Sequence, residues 1–282
     1  MTRASNASWS NVARKVRQLV VLSAVTLLGA SNVHAQVPLA PGAHPFGKSY
    51  GEWTVGYWQW ALGIPFAQNP WANDPTGAFA AVGQAGPVWY LGGTLGSSAE
   101  RTLSIPQGKF IFMPINQWIF GATVFDCDPS NPGVVCDVPA LQAAAATNTL
   151  ASTTLEVTID GRQVQDVRRF RATSPGAFNV TLPVGNVPEI GFGAPTPAGT
   201  YGPHVSDGFW LMLTPPLPGR HTISVHVVNP FAGEYVVTYH ITVSGVHGTL
   251  PANLTADEAG DPNAMAPEAR HTSWGQVKAY YH

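Results

Sequence analysis

The sequence predicts a mainly β protein, folded as an antiparallel β-sandwich that carries two short helices. A low content of charged residues, 11%, together with 29 Gly and 25 Pro favours such a turn-rich sandwich over a helical bundle or an α/β fold. Short segments that alternate apolar and polar residues recur from residue 87 to residue 243. We expect one domain over residues 49–245, preceded by an extended arm rich in proline and glycine over residues 36–48.

The first 35 residues are expected to be a signal peptide that the mature protein lacks. They contain a basic region, an apolar stretch from Leu19 to Leu28, and the small-x-Ala pattern Val33-His34-Ala35 before Gln36. This order is typical of secretory signal peptides, so cleavage is predicted near Ala35 and Gln36. A secreted or periplasmic location in a bacterium follows. No later segment reaches the roughly 18 apolar residues of a membrane-spanning helix.

The mature chain is predicted to be acidic. The signal peptide carries four of the 14 Lys and Arg residues and none of the 16 Asp and Glu residues, so its removal leaves 10 against 16, a net charge of about −6. A net negative charge disfavours nucleic acid as a partner. The local cluster of Arg168, Arg169 and Arg171 is too small to reverse this balance.

A helix is predicted at about residues 50–62, within the segment SYGEWTVGYWQWALGIP. Ser49 and Glu52 have the spacing of a capping box, in which each side chain accepts from the other residue's backbone N–H. Gly63 and Pro65 mark the end, because glycine favours the last turn and proline cannot continue the hydrogen-bond ladder.

This helix has a narrow polar face between two apolar faces. The narrow face consists of Glu52, Gly56, Gln59 and Gly63. On one interpretation, its glycines only let a neighbouring strand pack closely. On the other, the face is a ligand notch in which Glu52 and Gln59 are the polar groups and indole rings form the walls. The candidate stacking residues are Trp53, Trp58 and Trp60.

The remaining elements are predicted from alternation and turn signals. Asp137 and the proline after it predict a short Ala-rich helix at about residues 139–151. The two cysteines, Cys127 and Cys136, are expected to form a local disulfide, because they follow a secretion signal. Residues 246–282 read as a polar C-terminal tail. Predicted strands cover residues 87–94, 101–105, 109–115, 155–159, 167–172, 178–182, 209–213, 221–228 and 235–243, and residues 183–206 are expected to form a loop.

Two resemblances extend this prediction. Residues 213–222, LTPPLPGRHT, resemble the corner between late strands of immunoglobulin-like sandwiches, which implies an immunoglobulin-like or jelly-roll-like arrangement. Several blocks resemble a recurrent group of secreted bacterial proteins that has no established activity. These blocks are YWQWALGIP, GPVWYLGGT, IPQGKFIFMPIN, DGFWLML, GRHTI and VTYHITV. They span most of residues 49–243 and imply secretion and a single domain.

Two histidines on neighbouring predicted strands are candidate ligands for a transition metal. Strand alternation places His226 and His240 on the same polar face, and a hairpin would make them cross-strand neighbours with Cβ atoms about 5–8 Å apart. Asp207 or His204 would then supply a third donor. The alternative is that both histidines are solvated surface residues. His221 falls on the apolar face, where a hydrogen bond to the backbone is expected.

Two further clusters contain residue types that catalysis or metal binding uses. Asp126, Asp128 and Ser130 alternate like the first ligands of a calcium loop, but the turn glycine and distal glutamate of that loop are missing. His204, Ser206 and Asp207 are the residue types of a hydrolytic triad. Adjacent residues on one segment rarely reach the geometry that a triad needs.

The leading functional hypothesis is a secreted sandwich that binds a glycan or another small ligand with an apolar face, in an aromatic cleft beside the helix at residues 50–62. The alternative is a secreted hydrolase or metal-dependent enzyme whose site combines Glu52, Asp207, His226 and His240. A third hypothesis is a structural envelope protein whose tryptophans all belong to the core. The sequence contains no G-x-S-x-G, H-E-x-x-H, phosphate-loop or dinucleotide motif.

Overall fold

The computed structural model describes residues 36–121 and 137–244, which belong to one compact unit. Two α-helices of equal length lie among ten strands. In chain order the elements are α1 (Tyr50–Leu62), β1 (Val88–Tyr90), β2 (Ala99–Pro106), β3 (Phe110–Gly121), α2 (Val138–Leu150), β4 (Thr154–Ile159), β5 (Arg162–Gln163), β6 (Arg171–Thr173), β7 (Phe178–Leu182), β8 (Gly199–Leu213), β9 (Gly219–Asn229) and β10 (Gly233–Ser244).

The strands form two five-stranded sheets. Sheet A has the order β1-β3-β8-β6, with β7 also paired to β8, and sheet B has the order β2-β10-β9-β4-β5. The prediction of a mainly β fold with an aromatic N-terminal helix is confirmed. Both sheets are mixed rather than wholly antiparallel, because β1 pairs with β3 and β2 pairs with β10 in parallel.

The sheets pack face to face through the residues that alternation directs inward. In β9 and β10 these are the odd-numbered positions, such as Ile223, Val225 and Tyr239, each no more than 2% exposed. The predicted hairpin between these strands is present, with Asn229 opposite Gly233. Most of the buried apolar residues of both sheets and of α1 form one hydrophobic cluster.

Helix α1 covers the outer face of sheet A. Its predicted capping box is confirmed, since the Glu52 backbone N–H donates to Ser49 Oγ and the Ser49 backbone N–H donates to the Glu52 carboxylate. Tyr57 of the helix meets Trp210 of β8 edge to face, with ring centroids 5.0 Å apart. Trp210 in turn stacks on Phe112 of β3 at 5.3 Å. The aromatic ring contacts therefore extend from α1 into sheet A.

Several predicted strand boundaries are wrong. β1 ends at Tyr90 rather than at residue 94, and β3 continues to Gly121 rather than ending at residue 115. β8 begins at Gly199, inside the predicted loop at residues 183–206. This polar, glycine-containing segment is a strand because β7 pairs along residues 199–204, a tertiary contact that local alternation does not reveal. Residues Val167–Phe170 form a 3₁₀ turn, and only Arg171–Thr173 of that predicted strand is extended.

Helix α2 packs on sheet A, where its residues Leu141 and Ala145 contact Val205 of β8. Its bounds agree with the prediction to within one residue. Asp137 occupies the N-cap position, although its side chain makes no capping hydrogen bond. Within residues 36–121 and 137–244, no helix has both the length and the apolar character to cross a membrane.

Candidate functional site

The narrow face of α1 is exposed, and its polar groups are engaged locally. Glu52 accepts from Ser49 N and Ser49 Oγ at 2.7 and 2.8 Å, and these hydrogen bonds lower the pKa of its carboxyl group. Gln59 Nε2 donates to the backbone oxygen of Asn179 at 3.1 Å. A Cβ atom at Gly56 would lie 2.6 Å from the Tyr90 hydroxyl. Gly56 thus permits the close packing of β1 against the helix, as expected if the glycines of this face serve only packing.

The three candidate tryptophans of α1 have different surroundings. Trp53 and Trp60 are buried, and their indole N–H groups donate to backbone oxygens of Pro45 and Val82 at 3.2 and 3.0 Å. Trp58 is also buried but lines a pocket whose lining does not include Glu52. Of the five predicted ligand-binding residues, only Trp58 lines a cavity described below.

The two candidate metal-binding histidines are not neighbours. The register of β9 and β10 places His226 opposite Val236 and His240 opposite Thr222. Positions 236 and 240 are four residues apart along β10, which is about 13 Å along a strand. The expected cross-strand pair is therefore wrong. Among the residues that the structure describes, no group of three His, Cys, Asp or Glu side chains is arranged to hold a metal ion.

Each histidine is paired with glutamate on the outer face of sheet B. His226 lies 3.3 Å from Glu156 and 2.9 Å from Glu234. His240 Nε2 lies 2.9 Å from Glu100 of β2. These contacts join strands β4, β9, β10 and β2. His221 is buried and lies 2.8 Å from the Leu217 backbone oxygen, as predicted for a core histidine.

His226 is expected to titrate above its ordinary pKa of 6.5, because hydrogen bonds to Glu234 and Glu156 raise that pKa. Because its pKa is higher in the folded state, protonated His226 stabilises the folded protein. This stabilisation is complete below the unfolded-state pKa and is lost as the pH rises through the folded-state pKa. His226→Gln should therefore lower the melting temperature more at about pH 6 than at about pH 9. A Glu156→Gln and Glu234→Gln variant should remove this difference. Equal losses in the wild-type background at both pH values would contradict the assignment.

The proposed enzyme constellation is not assembled. Glu52 lies on the helix outside sheet A, whereas His226 and His240 lie on the outer face of sheet B. Asp207 is buried and accepts two hydrogen bonds from Arg171, at 3.0 and 2.6 Å. The structure therefore does not bring Glu52, Asp207, His226 and His240 together, because the sandwich separates them.

The triad residue types on β8 also face different surroundings. Ser206 Oγ accepts from the Trp58 indole N–H at 2.9 Å. His204 is buried beside Phe178, and burial lowers its pKa to about 4. Asp207 points to the other face of the strand, because successive strand residues alternate. The arrangement does not place a base between a hydroxyl and a carboxylate.

Several sequence predictions concern residues outside those that the structure describes. They are the signal peptide at residues 1–35, the calcium candidates Asp126 and Asp128, the disulfide between Cys127 and Cys136, and the tail at residues 246–282. All of these remain predictions.

The structure contains an aromatic pocket beside β3, at the part of this strand that follows its pairing with β1. Its volume is about 200 Å³. Six aromatic side chains line it, namely Trp58, Trp71, Trp118, Phe192, Phe231 and Tyr235. Leu95 and Phe231 are 44% and 57% exposed, so they form the solvent-facing part of the lining. We call this cavity the aromatic pocket.

Asn69 fixes the wall that contains Trp71. Its side-chain oxygen accepts from the backbone N–H groups of Trp71 and Ala72, at 3.0 and 2.9 Å. Its amide nitrogen donates to the backbone oxygens of Ala61 and Ile64, at 2.7 and 2.8 Å. Asn69 is fully buried, so these four hydrogen bonds tie the end of α1 to the following loop. The rings of Trp58 and Trp71 then meet edge to face at 5.0 Å.

Arg101 fixes the wall formed by residues 92–96. Its guanidinium donates to the backbone oxygens of Gly92, Gly93 and Asp74. Arg101 is 3% exposed, and within the described part of the chain it has no carboxylate partner. Tyr239 also donates to the Gly92 oxygen, at 2.7 Å. The buried side chains of Arg101 and Tyr239 therefore hold the loop at residues 92–96 in position.

Asn229 fixes the rim at the hairpin between β9 and β10. Its side-chain oxygen accepts from Phe231 N at 2.9 Å, and its amide nitrogen donates to Ser152 Oγ at 2.9 Å. Gly96 approaches the same turn with φ +85°, and a Cβ atom there would lie 2.5 Å from the Ala232 backbone oxygen. The rim thus needs a glycine at position 96, and both sides of the pocket mouth are positioned by buried contacts.

The aromatic pocket is uncharged, but several of its residues have unused hydrogen-bonding capacity. None of its lining residues is Asp, Glu, Lys, Arg or His, and burial raises the pKa of the Tyr235 hydroxyl so that it stays neutral. Within the described part of the chain, Trp71 Nε1, Thr94 Oγ1 and Trp118 Nε1 are buried without a hydrogen-bond partner. Such groups are uncommon in folded proteins and suggest a missing partner.

Few sequence signals point to this pocket. Its residues come from six separate segments of the chain, and alternation identifies faces without showing which faces meet. One signal was Phe231, since the turn between two strands usually carries polar residues or glycine, whereas this turn reads NPFAGE.

Comparisons with known proteins give no further assignment: no family model matches this chain, and no match appears among curated proteins or among solved structures.

Proposed function

We propose that this protein binds a small uncharged ligand with a ring-shaped apolar face, such as one sugar unit of a glycan, in the aromatic pocket. The observation that carries the proposal is a lining of six aromatic side chains, in which three lining residues, Trp71, Thr94 and Trp118, also carry a buried polar atom without a hydrogen-bond partner among the described residues. Aromatic rings pack against the apolar face of such a ligand, and indole N–H and hydroxyl groups are suited to its oxygen atoms.

Size and charge narrow the class of ligand. A volume of about 200 Å³ is smaller than the ~300–1,000 Å³ of pockets for drug-sized molecules, so about one ring fits. A charged group would lose its hydration in a lining that offers no counter-charge, which is costly. Neutral ligands are therefore favoured over acids and amines of the same shape.

The pocket is also built in advance of binding. Asn69, Arg101 and Asn229 each hold one wall through buried hydrogen bonds. A site held in this way loses little conformational entropy when a ligand enters, which favours binding. The walls that carry Trp71 and Phe231 need not be ordered by the ligand.

Binding is tested with matched neutral and charged sugars. Methyl β-glucoside and other neutral methyl glycosides are titrated while tryptophan fluorescence is recorded, with glucuronate as the charged relative of glucose. We expect a saturable change with the neutral sugars, because three tryptophans line the pocket. Glucuronate should bind at least about 10-fold more weakly, since its carboxylate must be desolvated.

Two variants at the mouth locate the site without disturbing the core. Leu95→Ala and Phe231→Ala should each weaken binding, the latter by about 5- to 30-fold, the loss of about 1–2 kcal/mol of aromatic contact. Leu217→Ala is the matched control, because Leu217 is 55% exposed and does not line the pocket. Binding that is unchanged in Phe231→Ala, or equally weakened in Leu217→Ala, would contradict the proposed location.

A further inference from the structure

We propose that a second cavity, between α2 and β8, binds a small carboxylate through Arg171. We call it the α2–β8 cleft. Its volume is about 400 Å³, and its lining includes Gln142, Ala143, Ala146, Arg171, Thr173 and Asp207. No residue lines both this cleft and the aromatic pocket, so the inference does not rest on the function proposed above.

Asp207 holds the guanidinium of Arg171 in one orientation. Arg171 Nε donates to Asp207 Oδ1 at 3.0 Å, and Nη2 donates to Oδ2 at 2.6 Å. These bonds use two of the five N–H groups of the guanidinium. Within the described residues, no other acceptor is bonded to it. The edge formed by Nη1 and the second Nη2 hydrogen is left as a planar fork, the geometry that matches a carboxylate.

The exposed part of this ion pair is positive. The side chain of Arg171 is 33% exposed, whereas that of Asp207 is 3% exposed. A ligand that enters the cleft therefore has more contact with the guanidinium than with the carboxylate that orients it. The other lining residues are uncharged. A single accessible cation with a fork of donors favours one carboxylate group over a cation or a neutral ligand.

The wall opposite Arg171 suits a short apolar body. Ala143 and Ala146 of α2 present only methyl groups, so the space beside them stays open. Thr173 adds a hydroxyl group on the same face of β6 as Arg171. Because the Arg171 side chain is 33% exposed, solvent screens this ion pair and its contribution to stability is small. Its position at a cavity suits binding.

The test compares carboxylates with amides of the same shape. Acetate, butyrate and benzoate are titrated by calorimetry against acetamide, butyramide and benzamide. We expect at least one acid to bind at least about 10-fold more tightly than its amide, since only the acid forms charge-assisted hydrogen bonds with both N–H groups of the fork. If none of the acids binds, or if acids and amides bind equally, the proposal is wrong.

Two variants separate binding from folding. Arg171→Lys keeps the charge but removes the fork, and should weaken binding of the acid by at least about 10-fold. Ala146→Leu fills the cleft with a good helix former and leaves the ion pair intact, so it should abolish binding while the melting temperature stays close to that of the wild type. Phe231→Ala, in the aromatic pocket, should bind the acid normally. Wild-type affinity in Ala146→Leu would overturn the assignment.

Discussion

Replacing Arg101 by methionine is expected to destabilise the protein by about 3–5 kcal/mol. Arg101 is 3% exposed, and its guanidinium donates to three backbone oxygens, those of Asp74, Gly92 and Gly93. Methionine preserves the length of the apolar stem but donates nothing. The Asp74 and Gly93 carbonyl groups would then lose this donor, whereas Tyr239 would still donate to Gly92, and an unpaired buried polar group costs about 1–3 kcal/mol.

The measurement is urea unfolding of the wild type and of Arg101→Met. Arg162→Met is the matched control, because Arg162 is exposed on the two-residue strand β5 and should change the free energy of unfolding by less than about 0.5 kcal/mol. The loop at residues 92–96 should also lose its position, so ligand binding in the aromatic pocket should weaken. A loss below about 1 kcal/mol in Arg101→Met would contradict the structural role assigned to this residue.

Asn69→Ala is expected to cost about 2–4 kcal/mol, because four hydrogen bonds of a fully buried side chain disappear together. Asn69→Asp should be at least as damaging. The aspartate keeps the acceptor for Trp71 N but places a carboxylate oxygen against the backbone oxygens of Ala61 and Ile64. Unfolding in urea again measures the free energy.

The control for Asn69 is Asn73→Ala, in the same loop. Asn73 makes one side-chain hydrogen bond, to the Phe66 oxygen at 3.2 Å, and is partly exposed. Its loss should cost about 0.5–1.5 kcal/mol, the usual net value of one hydrogen bond. Equal costs for Asn69→Ala and Asn73→Ala would show that Asn69 does not join α1 to the pocket wall in the way the structure indicates.

Local sequence rules predicted the elements whose signals are contained within one segment. Ser49 and Glu52 predicted the start of α1, because a capping box needs only residues that are three positions apart. The hairpin between β9 and β10 was predicted from alternation on both sides of one short turn. By contrast, the first part of β8 was missed, since residues 199–204 become a strand through their pairing with β7.

The candidate site was predicted only in its general character. An aromatic cavity involving Trp58 was expected, but on the Glu52 side of α1. On that side the Glu52 carboxylate is already engaged in the capping box, and the Tyr90 hydroxyl packs against Gly56. The rest of the aromatic pocket depends on how the loops at residues 92–96 and 229–233 meet, which is set by Arg101 and Asn229. Buried polar residues of this kind resemble ordinary surface residues when only the sequence is read.

The most direct test of ligand binding in the aromatic pocket follows the indole N–H signals of the tryptophans by nuclear magnetic resonance during titration with a neutral methyl glycoside. The signals of Trp71 and Trp118, whose N–H groups lack a partner among the described residues, should shift and saturate together. Those of Trp53 and Trp60 should stay in place, because their N–H groups already donate to backbone oxygens. Unchanged signals of Trp71 and Trp118 at saturating glycoside would contradict the proposed function.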